Sequence, residues 1–195
     1  MPTGIAIRDV RDQLFDAAER ILLRDGANAL TSRAVTTEAG VAKGVLHRHF
    51  EDFDAFLAEF VLDRVGRVEA RGVALLGSAG TGTVVDNLVE ALTELFESIA
   101  LRIMGLLISR DALRARLREI RGPGVPVMKE AARMVADYLA AERELGRVPA
   151  GADVEVVAPM LIGAVHLLFA DVEGAGPGAS EVRRVAAAAL AEYGD

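Results

Sequence analysis

Residues 31–50, TSRAVTTEAGVAKGVLHRHF, constrain the fold of this chain more than any other stretch. They hold a short run opened by Thr31 and Ser32, a glycine at position 40, and a second short run closed by Phe50. Thr and Ser side chains accept hydrogen bonds from the free amides of a helix start, and glycine adopts the left-handed backbone of a sharp turn. Two short helices joined this way have the outline of a helix-turn-helix, whose second helix can enter a DNA major groove. The same outline also arises as plain packing in helical proteins, so both readings stand at this point.

Composition narrows the setting. Apolar residues fill 52% of the 195 positions, which selects a folded globular chain over a disordered one. No apolar run reaches the ~18 residues of a membrane span, and no signal-like leader opens the chain. With no cysteine, disulfides and thiolate metal sites are excluded, and a cytoplasmic home is expected. The net charge of −7 argues against a surface coated for nucleic acid. That charge is unevenly spread: residues 1–50 hold seven Lys/Arg and six Asp/Glu, while residues 51–195 hold fifteen and twenty-three. A near-neutral head on an acidic body permits DNA binding by the head.

Apolar positions recur at helical spacing almost throughout, and no stretch shows convincing strand alternation. Residues 9–24 predict a helix capped by Asp9, with Val10, Leu14, Ala17, Ala18, Ile21 and Leu22 on one face and Gly26 at its stop. Thr31 or Ser32 caps a second helix, and residues 43–50 form a third with Val41, Leu46 and Phe50 as inward anchors. Asp52 caps a fourth carrying Phe56, Leu57 and Phe60 toward Arg71. Residues 77–82 are a glycine-rich loop, after which Thr83 and Asp86 open a fifth helix with the face Leu88, Leu92, Leu95 and Ile99. Apolar residues 103–108 and a basic stretch over 110–121 follow. Further helices are expected over 126–145 and 153–170, the latter kinked or delayed by Pro159, and a last one capped by Ser180 after a second glycine-rich loop at 174–178. The expected fold is all-α with about nine helices, a three-helix domain over residues 1–52 preceding a larger helical domain over residues 53–195.

On these residues the head resembles the N-terminal domain of the TetR (tetracycline repressor) family of bacterial transcription regulators. The family pattern is an apolar helix ending in glycine, then Thr, an Ile-Ala pair, Ala-Gly-Val and Lys-Gly-Thr-Leu-Tyr-x-His-Phe. This chain has Ala17-Ala18, Gly26, Thr31, Val35, Ala39-Gly40-Val41, Lys43-Gly44, Leu46 and His49-Phe50 in those places, over about a quarter of its length. The resemblance implies that Thr31, Ser32, Lys43, His47 and His49 position the DNA backbone, while Arg33, Gly44, Val45 and Arg48 face base edges. Val45 is suited to a thymine methyl. Three positions depart from the pattern: Val45 replaces Thr, His47 replaces Tyr, and Phe53 replaces a Lys just after the motif. Losing such contacts implies modest affinity, or an operator unlike the family's common ones.

The remaining residues carry weaker signals. His47 and His49 point about 200° apart on a helix, so a shared metal is not expected. The arginines at 110, 114, 116, 118 and 121 alternate with Leu113, Leu117 and Glu119, which reads as a solvated helix face. Neither glycine-rich loop follows a strand or carries a phosphate-loop lysine, and no catalytic signature is present, so neither cofactor nor enzyme activity is expected. Phe96, Ile103, Met104, Leu107, Met128, Met134, Tyr138 and His166 are candidates for a pocket suited to a small hydrophobic or aromatic effector. The last two helices suit a four-helix homodimer interface, with Leu161, Val165, Leu168, Val182, Val185, Ala186 and Ala189 as candidates. By the resemblance, the chain is a ligand-responsive dimeric regulator, most often a repressor, on a palindromic operator, with the fourth helix as the lever between head and body. The alternative is a helical small-molecule-binding dimer whose head has weakened or lost specific DNA binding.

Overall fold

The computed structural model describes residues 6–97, 99–170 and 177–191. The described residues form ten α-helices and one 3-10 turn, with no strand among them. Packing groups them into two compact units. The first comprises residues up to 63 together with 102–124, and the second comprises residues 64–101 and 125–195. Compactness therefore assigns residues 102–124, a segment distant in sequence, to the unit that holds the head.

In the first unit, α1 (Ala6–Asp25) is followed by a 3-10 turn (Ala27–Ala29), α2 (Ser32–Glu38), α3 (Val45–His49) and the opening of α4 (Phe53–Gly77). Asp9 lies inside α1, which begins three residues earlier, so it is not the cap. Leu14, Ala17, Ala18, Ile21 and Leu22 are buried as the helical spacing predicts. Phe15 is the centre of an aromatic cluster, with ring centroids 6.0 Å from Phe50, 5.7 Å from Phe56 and 6.0 Å from Phe60. Burying a side chain of this size contributes about 1.5–3 kcal/mol, so the cluster ties α1, the end of α3 and α4 together. Most of α6 (Ala100–Ser109) and all of α7 (Asp111–Arg121) belong here, burying Ile103, Leu106, Leu107, Leu113 and Leu117. The apolar run after α5 is thus a helix of its own, which raises the helix count above the nine expected.

In the second unit, α5 (Val84–Glu97), α8 (Met128–Glu144), α9 (Val154–Ala170) and α10 (Ala179–Ala191) pack with the later turns of α4. α8 lies on α9, and α10 lies on α5 and α9. Thr83 opens α5 as expected, its hydroxyl accepting from the Asp86 amide at 3.0 Å, and Leu88, Leu92, Leu95 and Ile99 are buried. α9 begins before Pro159 and runs through it, so the proline does not delay the helix. α10 begins at Ala179, one residue before Ser180, whose hydroxyl donates to its neighbour Glu181 at 2.8 Å. Of the glycine-rich loop expected at 174–178, only Pro177 and Gly178 fall within the described residues. A buried polar network holds the 78–82 loop. Asn87 Nδ2 donates to the Tyr138 hydroxyl at 2.9 Å, and Tyr138 donates to Glu142 Oε1 at 2.7 Å. Glu142 also accepts from the Gly80 amide at 3.3 Å and lies 3.4 Å from Arg147 Nε.

Candidate nucleic-acid interface

The turn at the centre of the head is made by backbone hydrogen bonds that only its sequence permits. α2 opens on Thr31, whose Oγ1 accepts from the Ala34 amide at 3.1 Å, leaving Ser32 as the first helical residue. It closes at Gly40, with φ at +67°, where the Gly40 amide donates to the Thr37 carbonyl at 3.1 Å and the Val41 amide to Thr36 at 3.0 Å. This is the paired closure that a left-handed residue after a helix allows, and it satisfies two carbonyls that would otherwise be orphaned. Thr36 is buried, and its hydroxyl donates to the Ser32 carbonyl at 3.0 Å.

α3 is shorter than the sequence predicts. Lys43 and Gly44 form a turn before it, with the Val45 amide donating to the Ala42 carbonyl at 2.9 Å. Leu46 and Phe50 anchor the helix in the core, while Val41 is only half-buried. With those anchors fixed, Lys43, Gly44, His47 and Arg48 are exposed, and Val45 and His49 are half-buried. Thr31 and Arg33 are exposed on α2 and its cap, and Ser32 is half-buried. The nine residues named for DNA contact therefore lie on one continuous helix-turn-helix. Of the charged ones, Arg33, Lys43 and Arg48 make no ion pair with any described residue. Arg20 and Arg24, by contrast, pair with Glu38 at 2.8 and 3.2 Å and bind α1 to α2.

Phe53, at the start of α4, is half-buried and turned into the protein. Its ring stacks on Phe56 at 5.6 Å, and the Arg110 guanidinium lies 5.2 Å from its centroid. Asp52 caps the helix as predicted, accepting from the Ala55 amide at 2.6 Å. That bond, with Arg116 beside it, holds the Asp52 carboxyl below its usual range. Arg116 reaches Asp52 and Glu51, each at 2.9 Å. Arg110 reaches Asp54 at 3.2 Å and the Leu30 carbonyl at 3.1 Å. Two members of the basic stretch read as a solvated face are thus bound to the flanks of the helix-turn-helix. The acidic group Glu51, Asp52 and Asp54 beside a basic helix was the available signal that compensating cations were needed.

The other candidates occupy several places. Ile103, Met104 and Leu107 lie on α6 in the first unit. In the second, Phe96 is buried, with its ring 6.2 Å from His166 and 5.6 Å from Phe169. Met134 is buried, and Tyr138 is committed to the network around Glu142. Burial, then Glu142, pushes the Tyr138 phenol up to about 12. Met128 and His166 line an open cleft of about 380 Å³ between α8 and α9, together with Val125, Ala132, Pro159 and Ile162. Of the residues named for a dimer interface, Leu161, Val165, Val182 and Ala186 are wholly buried within their own unit, and Leu168, Val185 and Ala189 are partly exposed. A side chain with no free surface cannot meet a partner. The exposed apolar line on α9 is Val156, Met160 and Leu167, at 48%, 60% and 72% exposure.

Fold and site define a class: an all-helical chain with a helix-turn-helix near its N-terminus, followed by a helical C-terminal part. Residues 14–60 match the model of the bacterial regulatory proteins, tetR family. An uncharacterized HTH-type transcriptional regulator from Haemophilus influenzae is 35% identical over 52 residues, 27% of this chain. The chain spans 28% of the length of that relative. Whole-chain likeness extends to the fatty acid degradation regulator FadR from Bacillus halodurans, with a TM-score of 0.70, 18% identity and 97% of each chain covered. It extends also to FadR from Bacillus subtilis in complex with stearoyl-CoA, with a TM-score of 0.65 and 17% identity over 92% of this chain and 95% of that one. The head, over residues 14–60, is thus similar to the tetR-family regulators in sequence, and the whole chain shares the fold of the solved regulators.

Proposed function

We propose that the protein is a transcriptional regulator that binds a palindromic operator as a homodimer and, acting as a repressor, is released by a small hydrophobic effector. The observation that carries this reading is the set Arg33, Lys43 and Arg48: exposed, unpaired among the described residues, and held on a helix-turn-helix whose apolar side is locked in a core. Basic groups in this arrangement grip phosphates, and outward side chains of a second helix reach base edges. The exposed line Val156, Met160 and Leu167 supports a dimer through α9, since an apolar stripe of this kind is stabilised by a second copy. Two such heads would read half-sites related by two-fold symmetry.

The cleft between α8 and α9 supports a hydrophobic effector. Its volume lies in the range of about 300–1,000 Å³ typical of small-molecule sites, and its walls are mostly apolar. Likeness to a FadR crystallised with stearoyl-CoA favours an effector with an apolar chain. The effector would act through its difference in affinity between two body conformations, with α4 as the connecting lever.

Selection of bound sequences from a random duplex pool at a stated salt concentration tests this reading. The expected product is a two-fold symmetric consensus. Recovery of unrelated sequences, with no salt-sensitive preference, would instead favour a helical ligand-binding dimer that has lost specific DNA recognition.

A further inference from the structure

Three carboxylates stand directly beside the proposed DNA-reading surface. Glu51 and Asp52 follow the recognition helix by two and three residues, and Asp54 lies in the first turn of α4. The Glu51 and Asp52 side chains are 79% and 56% exposed. At 3.8 Å per Cα step, Glu51 lies within about 11 Å of Arg48 along the backbone, roughly one Debye length at 0.1 M salt. A phosphate gripped near α3 would therefore feel these charges, and it would be repelled.

Arg116 answers two of them at once. Its Nη1 donates to Asp52 and its Nη2 to Glu51, both at 2.9 Å, so one guanidinium faces two carboxylates. Arg110 pairs with the third, Asp54, at 3.2 Å. Both arginines come from residues 102–124, which share the compact unit of the head. We propose that Arg116 is a charge-masking residue of the DNA interface: it offsets half the charge of Glu51 and Asp52 so that the phosphate backbone can approach α3 and the start of α4. Arg116 touches no base in this account; it acts through the two carboxylates. With Arg110 on Asp54, the masking cuts the local charge of these three carboxylates from −3 to −1 at a point where the head lacks a lysine at position 53. Asp52 cannot simply be dispensed with, because its carboxylate caps α4. An acid required by the fold is kept, and a distant arginine reduces its cost for binding.

This inference rests on the DNA-binding reading, and one series separates the two. The affinity of the full-length protein for the duplex recovered from the random pool is measured from low to high salt for four proteins. These are wild type, Arg116→Ala, Glu51→Gln/Asp52→Asn, and all three substitutions combined; Asn at 52 retains the capping oxygen. Arg116→Ala is expected to bind about tenfold more weakly at low salt, with the deficit shrinking as salt screens the exposed carboxylates. The triple variant is expected to recover to within about twofold of wild type, and the Glu51→Gln/Asp52→Asn protein to bind at least as tightly as wild type. A merely bracing role for Arg116 predicts the opposite, because removing its partners cannot restore a lost brace. Unchanged binding by Arg116→Ala, or a triple variant as weak as Arg116→Ala alone, overturns the proposal while leaving DNA binding intact. A wild-type protein without any preferred duplex overturns the reading beneath it as well.

Discussion

Gly40 and Phe50 hold the helix-turn-helix by different physics. A Cβ at Gly40 would meet nothing within 4 Å, so space is not the constraint; the φ of +67° is. Gly40→Ala is expected to cost about 1–2 kcal/mol through left-handed strain alone, visible as a lower urea midpoint with an unchanged slope. Phe50 is 4% exposed and contacts the rings of Phe15 and Phe56, so Phe50→Ala should cost about 3–5 kcal/mol. Both residues were legible from sequence, because a turn glycine and a terminal aromatic announce themselves locally. The caps Thr31, Asp52 and Thr83 were legible for the same reason. Arg110 and Arg116 were not: their partners lie 56 to 80 residues away, and no local pattern encodes such a pairing. Tyr138 shows a related failure. Its type suggested a ligand pocket, yet its hydroxyl is held between Asn87 and Glu142. With its folded pKa raised from 10.0 to about 12, its contribution to stability is fully present below about pH 10 and is lost as pH rises through about 12. A phenolate absorbance titration of wild type minus Tyr138→Phe should therefore place this residue's transition near 12; a transition at the ordinary value would contradict the buried network.

At the scale of elements, periodicity predicted which faces are buried better than where helices begin. α5 buries Leu88, Leu92 and Leu95 as its spacing selects, with Ile99 buried just beyond its end, but α3 starts two residues late because Lys43 and Gly44 are taken by a turn. α9 illustrates a deeper ambiguity. It is apolar on more than one side, so the sequence alone could not separate the face packed in its own unit from the one left open. Leu161 and Val165 belong to the first, and Val156, Met160 and Leu167 to the second. Substituting Leu167→Glu therefore tests the dimer through α9. Sedimentation should show a shift from dimer to monomer, since a charge placed in an apolar interface is left unpaired there. Leu161→Ala should instead lower thermal stability, by about 2–5 kcal/mol, because it opens a cavity in the core. A dimer unaffected by Leu167→Glu would remove α9 from the interface.

At the scale of the molecule, a net charge of −7 is compatible with DNA binding only if the acidic surface is kept away from the phosphates or masked near them. In the proposed account the unpaired cations Arg33, Lys43 and Arg48 supply the attraction, and Arg116 reduces a local repulsion. The central claim is that Lys43 and Arg48 meet DNA in different ways from one helix-turn-helix, Lys43 in the turn and Arg48 on α3. The most direct measurement is the salt dependence of affinity for the selected operator, compared among wild type, Lys43→Ala and Arg48→Ala, on the preferred duplex and on one with altered half-sites. Lys43→Ala should weaken both duplexes alike and reduce the salt slope by about 1, as loss of a phosphate contact does. Arg48→Ala should cost about 1–3 kcal/mol on the preferred duplex and narrow its advantage over the altered one. Equal affinities and equal slopes for all three proteins would contradict the account.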